Sequence, residues 1–247
     1  SGLVKIESMA FAHRKDVTSV TIPDSVMLIL HHAFYECSGL TSVTFPSSAG
    51  FIQDCAFSGC TALTGVTLPG PVYLGGRAFE GCTALTSVAL PGDVTDIAGP
   101  AFDGTPWLAG LGKLPVVNGV LLAYQGGGGT AAVPAGVTHI GAGAFFGCEE
   151  LTGVTIPNGV TSIGERAFQS CAGLTSVTIP DSVTSLGGLA FEDCVSLTGV
   201  TIPAGVTRIP NWIFEGCSGL KSVTIPASVT EIGQAAFRDC SSLTDVY

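Results

Sequence analysis

Charge is scarce in this sequence. Of 247 residues only 9 are Lys or Arg and 19 are Asp or Glu, 11% in all, against about a quarter in an ordinary soluble domain. So few bases exclude the basic stripe of a nucleic-acid binder. The acids are spread along the chain, and their net charge of −10 is expected to act as solubilising charge. No apolar run reaches the roughly 18 residues of a membrane span, and no signal peptide is visible. The chain opens Ser1-Gly2-Leu3 with no initiator Met, as a trimmed chain would, so the missing signal says nothing about export. Glycosylation sequons are missing too, because Asn118, Asn158 and Asn211 all lack a hydroxyl residue two positions on. What is plentiful is apolar material, at 46%, which excludes a disordered chain. Thr, Ser and Gly occupy the polar positions where charges would ordinarily stand.

The apolar residues recur on a fixed period. Phe appears at 11, 34, 57, 79 and 102, then at 145, 168, 191, 214 and 237, in steps of 23 with one of 22 and one of 43. Ala precedes it each time except at Ile213. Pro keeps the same clock from Pro23 to Pro91 and from Pro134 to Pro226. Such self-similarity is the signature of a solenoid, in which no single unit closes a core and stacked neighbours do. Within a coil, Leu174, Val177 and Ile179 form one short β-branched alternation and Val160 and Ile163 belong to another. Both are too short for helices and fit strands. Pro180, which has no N–H to give a ladder, ends the first strand, and Asp181-Ser182 or Asn158-Gly159 turns the chain. The expected fold is therefore a β-rich, α/β-type solenoid of about ten 23-residue coils, with parallel β-ladders and a short helical or 3-10 turn around each Ala-Phe. It is expected to be a single domain, 1–247, with regular coils over 1–102 and 134–247.

The 43-residue step marks one irregular coil, 103–133. Thr105 takes the Cys slot there, and Pro115 to Tyr124 carries Asn118-Gly119 between apolar runs, a strong hairpin signal. This insertion is either a tolerated excursion or a recognition loop. The chain begins inside a coil at Lys5-Ile6 and stops at Val246-Tyr247, short of the Pro slot. A fragment of a longer array, or ends that stack on one another, is expected from this.

Candidate chemistry is thin. Eight of nine Cys lie three residues after Phe: Cys37, Cys60, Cys82, Cys148, Cys171, Cys194, Cys217 and Cys240. Residues in one slot of stacked strands stand about 4.8 Å apart, wider than the ~3.8 Å Cβ separation of a disulfide. A buried thiol ladder is expected, with a Cys55–Cys60 bridge left open. His13, His31, His32 and His139 fall in unrelated slots. There is no Cys-x-x-Cys, calcium loop or phosphate loop and no nucleophile elbow, so no catalytic, cofactor-binding or metal residue is assigned. The remaining candidate is the outward face of the longer strand: Ser42, Thr44, Thr67, Thr155, Ser176, Thr178, Thr201 and Thr224, a flat ladder of hydroxyls. Thr there also suits a strand for its own sake. Trp107 and Tyr124 near the irregular coil, and Trp212 and Tyr35, are the aromatic candidates for interface anchors.

The repeat Ile-Pro-x-x-Val-Thr-x-Ile-Gly-x-x-Ala-Phe-x-x-Cys-x-x-Leu-Thr-x-Val-Thr resembles the BspA-like, treponemal-type leucine-rich repeats over essentially the whole chain. The resemblance extends to Thr105-Pro106-Trp107-Leu108 and Asn118-Gly119-Val120-Leu121. It implies a right-handed superhelix and an exported or cell-surface bacterial protein. It further implies adhesion, with a protein or glycan partner such as host extracellular matrix, and no family catalytic residue. Monomers or end-to-end stacked repeats are compatible with it. A passive spacer in a longer surface protein, and an enzyme using the irregular coil, are the alternatives.

Overall fold

A computed structural model of the chain describes residues 2–70, 72–92, 97–98 and 100–247. Part of the expected regular run, at 93–96 and 99, lies outside the described residues. The chain forms two compact units, Ser1–Gly112 and Lys113–Tyr247. Each is a parallel β-solenoid carrying five of the Phe turns.

Among the described residues the regular coils contribute a longer and a shorter strand each. In the first unit the shorter strands Lys5–Ile6, Leu28–Ile29, Phe51–Ile52 and Tyr73–Leu74 make one four-stranded sheet. Lys5, Leu28, Phe51 and Tyr73 stand in register on it. The longer strands pair two by two, Ser19–Thr21 with Ser42–Thr44 and Gly65–Thr67 with Ser87–Ala89. In each, the central Val points inward and its neighbours outward, as alternation demands: Val43 is buried between exposed Ser42 and Thr44. The Pro carbonyl then accepts from the N–H three residues on, as in Val26 N to Pro23 O at 3.0 Å and Val183 N to Pro180 O at 3.0 Å. Pro therefore ends the strand and opens the turn.

The Ala-Phe segments are turns, not helical or 3-10 pieces. In each, N–H groups alternate between a partner in the same coil and one in the next. Phe34 N donates to Ala56 O at 2.7 Å and Glu36 N to Ser58 O at 2.7 Å, while Tyr35 N returns to His32 O at 3.1 Å. A helix cannot share its bonds this way. The alternation places residues two before and two after Phe at positive φ, as at His32 (58°) and Glu36 (52°) or Leu189 (61°) and Asp193 (56°). Gly59, Gly81, Gly104, Gly147 and Gly216 take the second of these positions without strain.

Phe rings stack face to face along each unit. Centroids are 4.9 Å apart for Phe34–Phe57 and 5.1 Å for Phe168–Phe191, with interplanar angles of 6° and 5°. The inward Leu, Val and Ile residues complete the core, at about 1.5–3 kcal/mol for each fully buried large side chain.

Between Phe102 and Phe145 the pattern changes. The Thr105 hydroxyl donates to its own coil's Phe102 carbonyl at 2.7 Å and accepts from Leu108 N at 3.2 Å. It thereby caps a five-residue helix, Pro106–Gly110. In the second unit Val116–Val117 and Val120–Leu121 pair antiparallel across Asn118 and Gly119, both at positive φ (51° and 76°), as a two-residue hairpin requires. Val120–Leu121 then starts a parallel run with His139–Ile140, Ser162–Ile163 and Ser185–Leu186.

Candidate functional site

The outward hydroxyls fall where alternation sends them. Ser42, Thr44 and Thr67 in the first unit are exposed, as are Thr155, Ser176, Thr178, Thr201 and Thr224 in the second. Register brings Thr44 beside Thr21, Thr178 beside Thr155, and Thr224 beside Thr201. Thr67 has Ala89 as its partner. Ser19 and Thr21 belong to the same face through Ser42 and Thr44, an extension that the Phe and Pro clock already contains.

Three hydroxyl ladders run along the second unit, two of them also along the first, and they differ in chemistry. In six coils the Thr that follows the inward Leu donates back to the preceding coil, as in Thr175 Oγ1 to Thr152 O at 3.0 Å and Thr41 Oγ1 to Thr18 O at 2.8 Å. In the second unit Thr161, Thr184 and Thr230, each just before a shorter strand, do the same, as in Thr161 Oγ1 to Thr138 O at 3.1 Å. By contrast, Thr44, Thr67, Thr155, Thr178, Thr201 and Thr224 give their hydroxyls to no protein group among the described residues. Two ladders thus reinforce the stack, and the third keeps its donors and acceptors for whatever lies outside.

Trp107 and Tyr124 are half-buried and sit on the Phe stacks. Trp107 meets Phe102 edge-on at 4.7 Å, and Tyr124 lies 5.4 Å from Phe145 at 31°. The Tyr124 hydroxyl donates to Gly127 O at 2.7 Å, holding the start of the glycine run. Part of each ring's surface is therefore committed to closing a core.

The thiols form a ladder of their own. Seven of them donate to the Phe carbonyl one coil back, as in Cys60 to Phe34, Cys194 to Phe168 and Cys217 to Phe191, at 3.2, 3.2 and 3.0 Å. All nine are free. Burial pushes the Cys171 and Cys217 thiols up to about 12 and Cys148 up to about 11. Such groups are poor nucleophiles near neutrality. Among the described residues no three His, Cys, Asp or Glu side chains gather as a metal site.

Two surfaces carry signals that periodicity alone does not show. In the first unit the outward slot of the shorter strands turns aromatic in two adjacent coils, with Phe51 49% exposed and 6.0 Å from Tyr73. The same slot in the second unit reads Ser162, Ser185 and Arg208. Second, a groove of about 500 Å³ opens in the second unit between Ser185, Leu186 and Leu189 on one side and Arg208, Asn211 and Trp212 on the other.

Residues 4–111 and 130–247 match the BspA type leucine rich repeat region, in six copies. A solved leucine rich cell surface protein from Faecalibacterium prausnitzii A2-165 is similar at 29% identity and a TM-score of 0.55, over 99% of this chain and 82% of that one. A leucine-rich repeat protein from Eubacterium ventriosum ATCC 27560 shares 22% identity at a TM-score of 0.59, over 100% and 78% of the two chains, a likeness of fold alone. No curated protein matches the sequence significantly. No helix among the described residues is long and apolar enough to cross a membrane.

Proposed function

The chain belongs to the BspA-type leucine-rich repeat family, and on that footing we propose that it is a secreted or surface-displayed adhesive protein that binds a protein or glycan partner through its outward hydroxyl face. The observation that carries this is the division among the hydroxyl ladders. Thr155, Thr178, Thr201 and Thr224 are exposed, spaced by the sheet and unused by the protein, while Thr152, Thr161 and Thr175 spend their hydroxyls inside it. A flat face poor in aromatic anchors gives weak contacts per coil, and repetition sums them. The similar Faecalibacterium protein is described as a cell surface protein, which supports display outside the cell. Leucine-rich repeat solenoids are typically non-enzymatic, and the unreactive thiols and scattered histidines supply no catalytic constellation.

The test is retention of the chain on immobilised fibronectin, collagen, laminin and their glycans. Saturable retention that falls at least tenfold when Thr155, Thr178, Thr201 and Thr224 are all replaced by Val supports the reading. Val keeps the shape and the strand preference and removes the hydroxyl. Absence of retention on every surface favours a passive spacer.

A further inference from the structure

One coil of the second unit breaks the repeat in neighbouring slots. Where other coils carry Gly164, Gly187 and Gly233, it has Pro210. Two residues on it has Trp212, and Ile213 replaces the Ala that precedes Phe. The consequences are physical. Gly187 N donates to Ile163 O and Gly233 N to Ile209 O, each at 2.8 Å. Pro210 has no N–H, so the equivalent rung to Leu186 O is absent. The rung from Thr207 N to Thr184 O is missing as well, although Thr184 N to Thr161 O (2.9 Å) and Thr230 N to Thr207 O (2.8 Å) are both made. Ser185–Leu186 and Arg208–Ile209 accordingly belong to different sheets. The Phe turns remain bonded across this gap, Phe191 N to Ile213 O at 2.8 Å. The parting is thus confined to the shorter strands: the Phe turns stay bonded, and on the longer-strand side Thr198 N still donates to Thr175 O at 3.3 Å. The 500 Å³ groove occupies the parting.

We propose that this parting is a second binding site, for a neutral oligosaccharide, anchored on Trp212 and on the carbonyls of Thr184 and Leu186. Its hydrogen-bonding character selects the ligand. The two carbonyls have lost their ladder donors and accept only. The hydroxyls of Ser185 and Thr207 rotate to suit. A sugar hydroxyl can donate its O–H to either carbonyl and turn its lone pairs toward the Ser185 and Thr207 hydroxyls or an indole N–H, and the apolar face of a sugar ring can pack on an indole. Charge selects too. Arg208 is paired with Glu231 at 3.1 Å and Glu165 with Arg166 at 3.6 Å, which leaves no net charge to hold a sulfate or a carboxylate. Trp212 is half-buried, and its indole N–H has no partner among the described residues, so it offers an apolar ring with a donor at its rim. The volume lies within the range of small-ligand sites. This proposal goes beyond the hydroxyl-face reading and does not depend on it.

The full chain is tested on an array of neutral oligosaccharides built from glucose, galactose, mannose and N-acetylglucosamine, beside sialylated and sulfated counterparts and extended peptides. The expected result is preferential retention of at least one neutral class, reduced tenfold or more by Trp212→Ala. Pro210→Gly, which supplies the missing N–H, is expected to weaken the same retention while the Tm stays level or rises, so a folding defect cannot imitate the effect. No neutral class retained, a preference for charged sugars or peptides, or retention unchanged by both variants overturns the proposal. A chain that ignores every sugar and still holds a matrix protein through Thr155 to Thr224 contradicts this site alone.

Discussion

The thiol of Cys171 donates a hydrogen bond of 3.1 Å to the backbone carbonyl of Phe145, one coil earlier in the stack. That carbonyl also accepts from Cys148 N, in its own coil, at 3.2 Å. One acceptor therefore joins two coils, and the bond repeats at Cys37, Cys60, Cys82, Cys194, Cys217 and Cys240. The consequence for reactivity is direct. Thiolate is the nucleophile, and burial favours the neutral thiol. In the native protein the buried Cys37, Cys60, Cys82, Cys171, Cys194 and Cys217 are expected to resist alkylation at pH 8. The partly exposed Cys55, Cys148 and Cys240 should react first, and all nine thiols should react in denaturant. Buried cysteines that label as fast in the native protein as in denaturant contradict the ladder.

The same burial sets a pH dependence. Cys171 and Cys217 are raised from an ordinary value of 9.0 to about 12 when folded. Above pH 9 the unfolded chain sheds these protons and the folded chain keeps them, so the unfolded state is favoured. Their contribution to stability is fully present below pH 9 and is lost as pH rises toward 12. Denaturant midpoints at pH 8 and pH 11 should show the fall, and Cys171→Ala should lessen it. An equal fall in that variant would assign the effect to other groups.

Left-handed positions around each Phe give a second expectation. Gly147 sits at φ 68° with open space where a Cβ would stand, so Gly147→Ala tests backbone strain free of any clash. It should cost about 1–2 kcal/mol, read from chemical denaturation. A neutral result would mean that the turn relaxes to negative φ.

Phe168 is fully buried and stacked on both sides, at 4.8 Å from Phe145 and 5.1 Å from Phe191. Phe168→Ala is expected to cost about 3–5 kcal/mol. Phe11, which is 39% exposed and stacked on one side only, should cost less than half as much. Equal losses would argue against nearest-neighbour stacking as the source of stability.

The parting beside Pro210 predicts local opening. Thr207 N lacks the rung that Thr184 N and Thr230 N make, so its amide should exchange with solvent at least tenfold faster than theirs in native-state hydrogen exchange. Equal protection at all three would close the gap.

Much of this is legible in the sequence because a solenoid converts period into position. Phe168 over Phe145, Cys171 one coil above, and Thr178 facing out all follow from the 23-residue clock and strand alternation. What the clock leaves out is direction and exception. Nothing in the Ala-Phe segment signals two left-handed residues, since Met9, Arg77, Leu189 and Trp212 are not turn formers and adopt positive φ only because the next coil demands their hydrogen bonds. Trp107 and Tyr124 carry the composition of interface anchors, and their rings pack on Phe102 and Phe145 because a Phe stack needs something on its last ring. The groove had a visible trace in Pro210 and Ile213. Its meaning depends on knowing that the Gly slot donates a rung.

The central claim, that hydroxyls unused by the stack form the binding face, is tested most directly by a crossed pair of variants on one immobilised matrix protein. Thr178→Val removes a free hydroxyl, and Thr175→Val removes one that donates to Thr152 O at 3.0 Å. The account predicts weaker retention with unchanged Tm for Thr178→Val. For Thr175→Val it predicts unchanged retention with a stability loss of about 1 kcal/mol. Retention that is indifferent to Thr178→Val, or that responds equally to both substitutions, would contradict it.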